Sequence, residues 1–158
     1  MAHIDHIALE EVLGVILAEP APQPSGDAAP ESGAVQDELD LYRISERGLP
    51  KRAVTNLMKH IGFSLHQMAE LLPISERTLQ RYGSNKLLDQ SVTEHLLDVA
   101  MVVTRGTEVF GSKSKFLSWL ESPVMALENR TPMELLDSRF GVKLVLDELG
   151  RIEHGIVA

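Results

Sequence analysis

Apolar residues recur at helical spacing through most of the second half of the chain. Val92, Leu96, Val99, Ala100 and Val103 fall on one face of a long helix, which Ser91 opens and Glu94 completes as a capping box. Val109 and Phe110 extend the stripe until Gly111 ends it. A short helix over 113–121 follows, with Phe116, Leu117, Trp119 and Leu120 on its apolar side and Pro123 closing it. Trp119 reads as a core anchor. Thr131, Pro132 and Glu134 provide a helix start with cap, proline at the first position and carboxylate at the third. The last helix runs over about 140–153 with Val142, Val145, Leu149 and Ile152 inward, His154 at its end and Gly155 as a left-handed cap.

The first half is less regular. Residues 4–17 are apolar enough for a short helix or an edge strand, and their pattern leaves both open. Residues 19–36 hold Pro20, Pro22, Pro24 and Pro30 with Gly26 and Gly33, show no apolar face, and read as a disordered linker. A short helix over 37–47 ends at Gly48. Leu49 leads to Pro50, which begins the next helix at its tolerated first turn; that helix spans 51–60 and stops at Gly62.

Residues 64–82 read as two short helices joined by a tight turn, a helix-turn-helix. Ser64 and Gln67 make a capping box and Ser75 caps the second helix. Leu65, Met68, Ala69 and Leu72 share one face of the first helix, and Leu79 and Tyr82 share one face of the second. Ala69 is small where the helices cross, and Ile74 fills the space beneath the turn. Glu76, Arg77, Thr78, Gln80 and Arg81 are left facing outward, a set suited to a helix in a DNA major groove. Arg77 and Gln80 are the candidates for base edges. Arg81, Lys86 and Ser64 are candidates for phosphate, with Ser75 and Thr78 beside them. Residues 83–85 break the chain after this motif.

Aromatic residues make up 4% of the chain and strand-type alternation is scarce, so the fold class is all-α. The lack of cysteine excludes disulfides and cysteine-ligated zinc. The longest apolar stretch, near 12–18, is far short of the roughly 20 residues that span a bilayer. The first sixteen residues hold no Lys or Arg for a basic secretory leader, so a cytoplasmic protein with no membrane contact is expected. His3, Asp5 and His6 lack a fourth metal ligand, and no metal or other cofactor is expected.

Charge changes the picture more. The net charge is −8, but residues 1–42 carry −9, residues 43–86 carry +5 and residues 87–158 carry −4. The one positive segment contains the helix-turn-helix, and phosphate binding needs local rather than average positive charge.

The C-terminal third is distinctive as a string. Phe110-Gly111, Trp119-Leu120, Pro123, Arg130-Thr131-Pro132-Met133-Glu134-Leu135-Leu136-Asp137, Gly141 and Leu149-Gly150-Arg151-Ile152-Glu153-His154-Gly155 together resemble the C-terminal signature of the Xre/MbcA/ParS antitoxins. The helix-turn-helix with its flanking helices resembles the Xre-like N-terminal half of that family, so the resemblance covers residues 37–158. It implies an Xre-like helix-turn-helix domain (37–90) and a C-terminal toxin-binding domain (91–158), which follow the N-terminal segment of open structure (1–18) and the linker (19–36) read from composition. It further implies a bacterial type II antitoxin that binds a RES-domain toxin, an NAD-consuming enzyme related to ADP-ribosyltransferases. Such an antitoxin forms a homodimer, or a larger complex with its toxin, and represses its own operon by binding operator DNA. In the family the C-terminal helix end and tail approach the toxin's active site, which carries over to Arg151, Glu153, His154 and Gly155. The chain departs from the family at Glu128-Asn129, where Gly-Gly is frequent, and at Pro73, where glycine is common in the turn.

Two rival readings differ in class. One is a free-standing helix-turn-helix regulator whose C-terminal half only dimerises or senses a ligand. The other is a nucleotide-processing enzyme, against which stand the lack of a glycine-rich phosphate loop and of any nucleophile constellation. Glu153 and His154 are adjacent on a helix, point in different directions and form no acid–base pair; no catalytic residue is expected.

Overall fold

The computed structural model describes residues 6–18 and 38–155. The linker expected over 19–36, and His3 and Asp5 of the metal candidate, lie outside them. Among the described residues the fold is all-α, with two isolated bridges, Pro50 to Leu87 and Val124 to Arg130, and no strand. No helix among them is long and apolar enough to cross a membrane, and no cluster of carboxylates and histidines is arranged to hold a metal.

The central element is α6 (Gln90–Phe110), 21 residues and about 30 Å long. Its buried face carries Val92, Leu96, Val99, Ala100 and Val103, as the periodicity requires. Its start differs from the expected one. The helix begins at Gln90 behind Asp89, and the Ser91–Glu94 box does not form. Glu94 instead accepts from Gln90 Nε2 at 3.3 Å and faces Arg139 at 3.6 Å.

Residues 6–17 resolve to helix, α1 (His6–Leu17), packed against α3 (Lys51–Ile61) and α6 with Leu13 and Ile16 buried. Asn56 on α3 closes its far end by donating to the carbonyls of Ile16 and Ala18, each at 3.1 Å. Such carbonyls have no partner inside a helix, so this amide replaces a local cap. One hydrophobic core therefore runs from α1 through the helix-turn-helix to the C-terminal helix, joining Ile16, Leu57, Met68, Leu79, Leu96, Phe116 and Leu149.

α2 (Glu38–Arg47) lies on α6. Pro50 is the cap of α3 rather than its first residue, with extended backbone at φ −70° and ψ 153°. The cause is tertiary. Lys51 N–H donates to the Lys86 carbonyl and Leu88 N–H to the Leu49 carbonyl, both at 2.8 Å, which draws the chain straight across this point. The same clasp returns the segment after the helix-turn-helix to the base of α3.

α7 (Lys113–Leu120) crosses α6 at Gly106, where a Cβ would fall on the Phe116 ring. Phe110, Phe116 and Trp119 stack with ring centroids 5.4 to 6.4 Å apart. A 3₁₀ turn (Met125–Leu127) then leads to α8 (Pro132–Leu135), whose Thr131–Glu134 capping box forms as expected. Between them Glu128 and Asn129 both take left-handed backbone, at φ 58° and 61°. Gly141, near the start of α9 (Arg139–Glu153), lies so close to the Leu135 carbonyl that any side chain would collide with it. Buried His95 on α6 meets the next carbonyl, that of Leu136, at 2.6 Å from Nε2.

Candidate DNA and partner interfaces

The helix-turn-helix comprises α4 (Leu65–Leu71) and α5 (Glu76–Arg81). At the start of α4, Gln67 N–H donates to Ser64 Oγ at 3.2 Å and Ser64 N–H to Gln67 Oε1 at 2.9 Å. Ser75 Oγ accepts from Thr78 N–H at 3.1 Å and lies 2.8 Å from the Thr78 hydroxyl. These two serines thus set where the helices begin, and the Ser75 and Thr78 hydroxyls engage each other. Met68, Leu71, Leu72 and Leu79 are buried; Leu65, Ala69 and Ile74 pack partly against them.

Arg77, Gln80 and Arg81 are exposed on α5, and no ion pair among the described residues involves either arginine. Lys86 is exposed four residues beyond Tyr82, with Nζ 5.6 Å from the half-buried tyrosine ring, which agrees with an inward Tyr82. Glu76 does not simply face outward. Its Oε2 is 3.1 Å from His66 Nδ1 on α4, and its Oε1 accepts from Gln80 Nε2 at 3.2 Å. His66 was not among the residues singled out, because a separation of ten carries no helical period. An open cleft between α4 and α8 is lined by Glu70, Glu121, Glu134 and Asp137.

The second candidate site is the end of α9. Glu153 forms a two-pronged pair with Arg105 of α6; Nη1 donates to Oε1 at 3.1 Å, and Nη2 meets Oε2. This hydrogen bonding holds the Glu153 carboxyl below its ordinary range, reinforced by the charges of Arg105 and His154 and opposed by partial desolvation. Arg151 Nε lies 2.8 Å from Oε2 of Glu148, whose side chain is only 11% exposed. His154 ends the helix, exposed, and Gly155 takes the left-handed backbone expected of it at φ 68°. Arg105 and Glu148 were also missed from sequence. Arg105 and Glu153 are 48 residues apart, and only the packing of α6 against α9 brings them together.

Residues 40–101 match the family model for the antitoxin Xre-like helix-turn-helix domain. Residues 105–155 match that for the antitoxin Xre/MbcA/ParS C-terminal toxin-binding domain. An antitoxin Xre of Photorhabdus laumondii is 30% identical over 122 residues, covering 75% of this chain and 81% of the relative. One from Yersinia enterocolitica is 32% identical over 130 residues, covering 70% of this chain and 87% of the relative. With a helix-turn-helix of this build, a C-terminal helical unit in register with the second match and relatives aligned over most of both lengths, the chain belongs to the Xre antitoxin family.

Proposed function

We propose that this antitoxin silences a RES-domain, NAD-consuming toxin by laying the end of α9 and the residues after it over the toxin's active site. It also represses its own operon as a dimer, through α5. The observation that carries the first part is the match of residues 105–155 to a toxin-binding domain that closes on the exposed end of α9. The action is occlusion, which requires a correctly aimed helix end and no chemistry by the antitoxin. Arg151, Glu153, His154 and Gly155 are the residues assigned to the contact.

The DNA half follows from charge. An island of +5 within a chain of −8 attracts phosphate locally while the remainder repels it, so one copy is a weak binder. Two copies joined in a dimer place two α5 helices in successive major grooves, about 34 Å apart, and double the attraction. Arg77 and Gln80 then face base edges; Arg81, Lys86 and Ser64 face phosphates, beside Ser75 and Thr78.

Expression of the neighbouring toxin reading frame should arrest growth, and co-expression of the intact antitoxin should restore it. Deleting residues 151–158 should abolish rescue while operator binding survives. Full rescue by the shortened chain would remove the occlusion mechanism, and a harmless neighbour on either side would remove the RES assignment.

A further inference from the structure

Glu76 opens α5, and both of its carboxylate oxygens are engaged inside the molecule, by His66 Nδ1 at 3.1 Å and Gln80 Nε2 at 3.2 Å. The second ring nitrogen of His66, Nε2, stands 3.4 Å from Oε1 of Glu70. An ionised carboxylate can only accept hydrogen bonds. The Gln80 group facing Glu76 is therefore its NH₂, and both nitrogens of His66 suit their neighbours as N–H donors. The Glu76 hydrogen bond, followed by the charges of Glu70 and Glu76, raises the pKa of His66 and favours that doubly protonated ring.

This gives Gln80 a fixed outer edge. One N–H is committed to Glu76, leaving one N–H and the amide oxygen on an exposed side chain. One donor beside one acceptor complements adenine, whose major-groove edge offers N7 as acceptor and the N6 amino group as donor. Guanine offers two acceptors there, N7 and O6. The single free N–H could meet only one of them, the amide oxygen would face the other acceptor, and pairing with both would require the NH₂ to leave Glu76. His66 adds a second effect by offsetting the charge of a carboxylate that would otherwise face DNA phosphates.

We propose that Gln80 reads an adenine in the DNA that α5 enters, and that Glu76, held in turn by His66, is the positioning residue that fixes its amide for that base. The inference rests on the reading of α5 as the major-groove helix.

The test uses the full chain and a pool of random duplexes, followed by affinities for single-base variants of the recovered sequence. The half-site should contain an adenine whose replacement by guanine weakens binding about ten- to hundredfold. Gln80→Ala should bring that adenine-to-guanine ratio close to one. Glu76→Ala should lower the same ratio and His66→Ala should lower it less. Glu76→Gln, whose amide oxygen still accepts from Gln80, should restore most of it. A Glu76→Ala chain that weakened every duplex equally and kept the ratio would overturn the positioning role. A half-site indifferent to Gln80 would overturn the adenine assignment. Failure of the underlying reading has its own signature: the unsubstituted chain would enrich no duplex at all, and both proposals would fall.

Discussion

The two candidate interfaces use charge in opposite ways. On α5, Arg77 and Arg81 are exposed and lie outside the ion pairs among the described residues. At the end of α9, Glu153 is bound by Arg105 and Arg151 stands beside Glu148. Charge left unpaired acts at a distance and suits a polyanion whose counterions it can displace. Charge already paired within the molecule is partly offset before a partner arrives, so it acts at short range, and the pairing also holds the helix end in one direction. On the proposed function, the α5 face attracts and the α9 end aims.

The largest expected effect lies on the attracting side. Changing both Arg77 and Arg81 to Ala should weaken operator binding by one to two orders of magnitude at low salt and reduce its salt slope by about 2. Thermal stability should hardly move, because neither side chain is packed. Retained affinity would show that another surface meets the DNA.

Arg105→Ala probes the aiming side. It frees Glu153 and releases the end of α9, so toxin neutralisation should fall several-fold in a titration of toxin activity while operator binding stays unchanged. Glu153→Gln should act in the same direction but more weakly, since its amide oxygen still accepts one hydrogen bond from Arg105. Equal neutralisation by all three proteins would mean that the pair does not aim the helix.

A smaller effect tests the turn that leads into α8. Glu128 carries a Cβ in left-handed backbone at φ 58°, a conformation that costs a non-glycine residue about 1 to 2 kcal/mol. Glu128→Gly should therefore stabilise the fold by up to about 1 kcal/mol, after the entropy that glycine adds to the unfolded chain. Thermal unfolding should show a rise of a few degrees, and a fall would remove the strain argument.

The smallest effect concerns pH. Glu153 titrates below its ordinary value because Arg105 binds its ionised form. Its contribution is complete above the ordinary carboxylate range and is lost as pH falls through the lowered folded value. Protection from hydrogen exchange at the last turn of α9, taken relative to the intrinsic exchange rate at each pH, should fall over that acid window in the natural chain and remain flat in Arg105→Ala.

What could be read along the chain was local. The Ser64–Gln67 and Thr131–Glu134 boxes span three residues, and both form where their spacing placed them. The helical faces of α6 and α9 emerged from periodicity for the same reason. Readings failed where distant chain intervened. The clasp from Leu49 to Leu88 turns Pro50 into a cap, and α6 begins at Gln90, so Ser91 lies inside the helix and Glu94 meets Gln90 and Arg139 instead. Residues 6–17 were ambiguous because a nearly continuous apolar run has no informative period, and Asn56, 40 residues away, completes their helix. The same limit hid the site geometry. Arg77, Gln80 and Arg81 were visible as an exposed helical face, whereas the contacts of His66 with Glu76 and of Arg105 with Glu153 exist only after packing.

The contrast between attracting and aiming is tested most directly by measuring the salt dependence of both complexes with the same antitoxin preparation. Operator affinity should fall steeply between about 50 and 200 mM salt, by several orders of magnitude for a dimer making six or more phosphate contacts. Toxin affinity over the same range should change by less than about tenfold, because the charges at the end of α9 are already paired. Toxin binding that fell as steeply as operator binding would contradict the account.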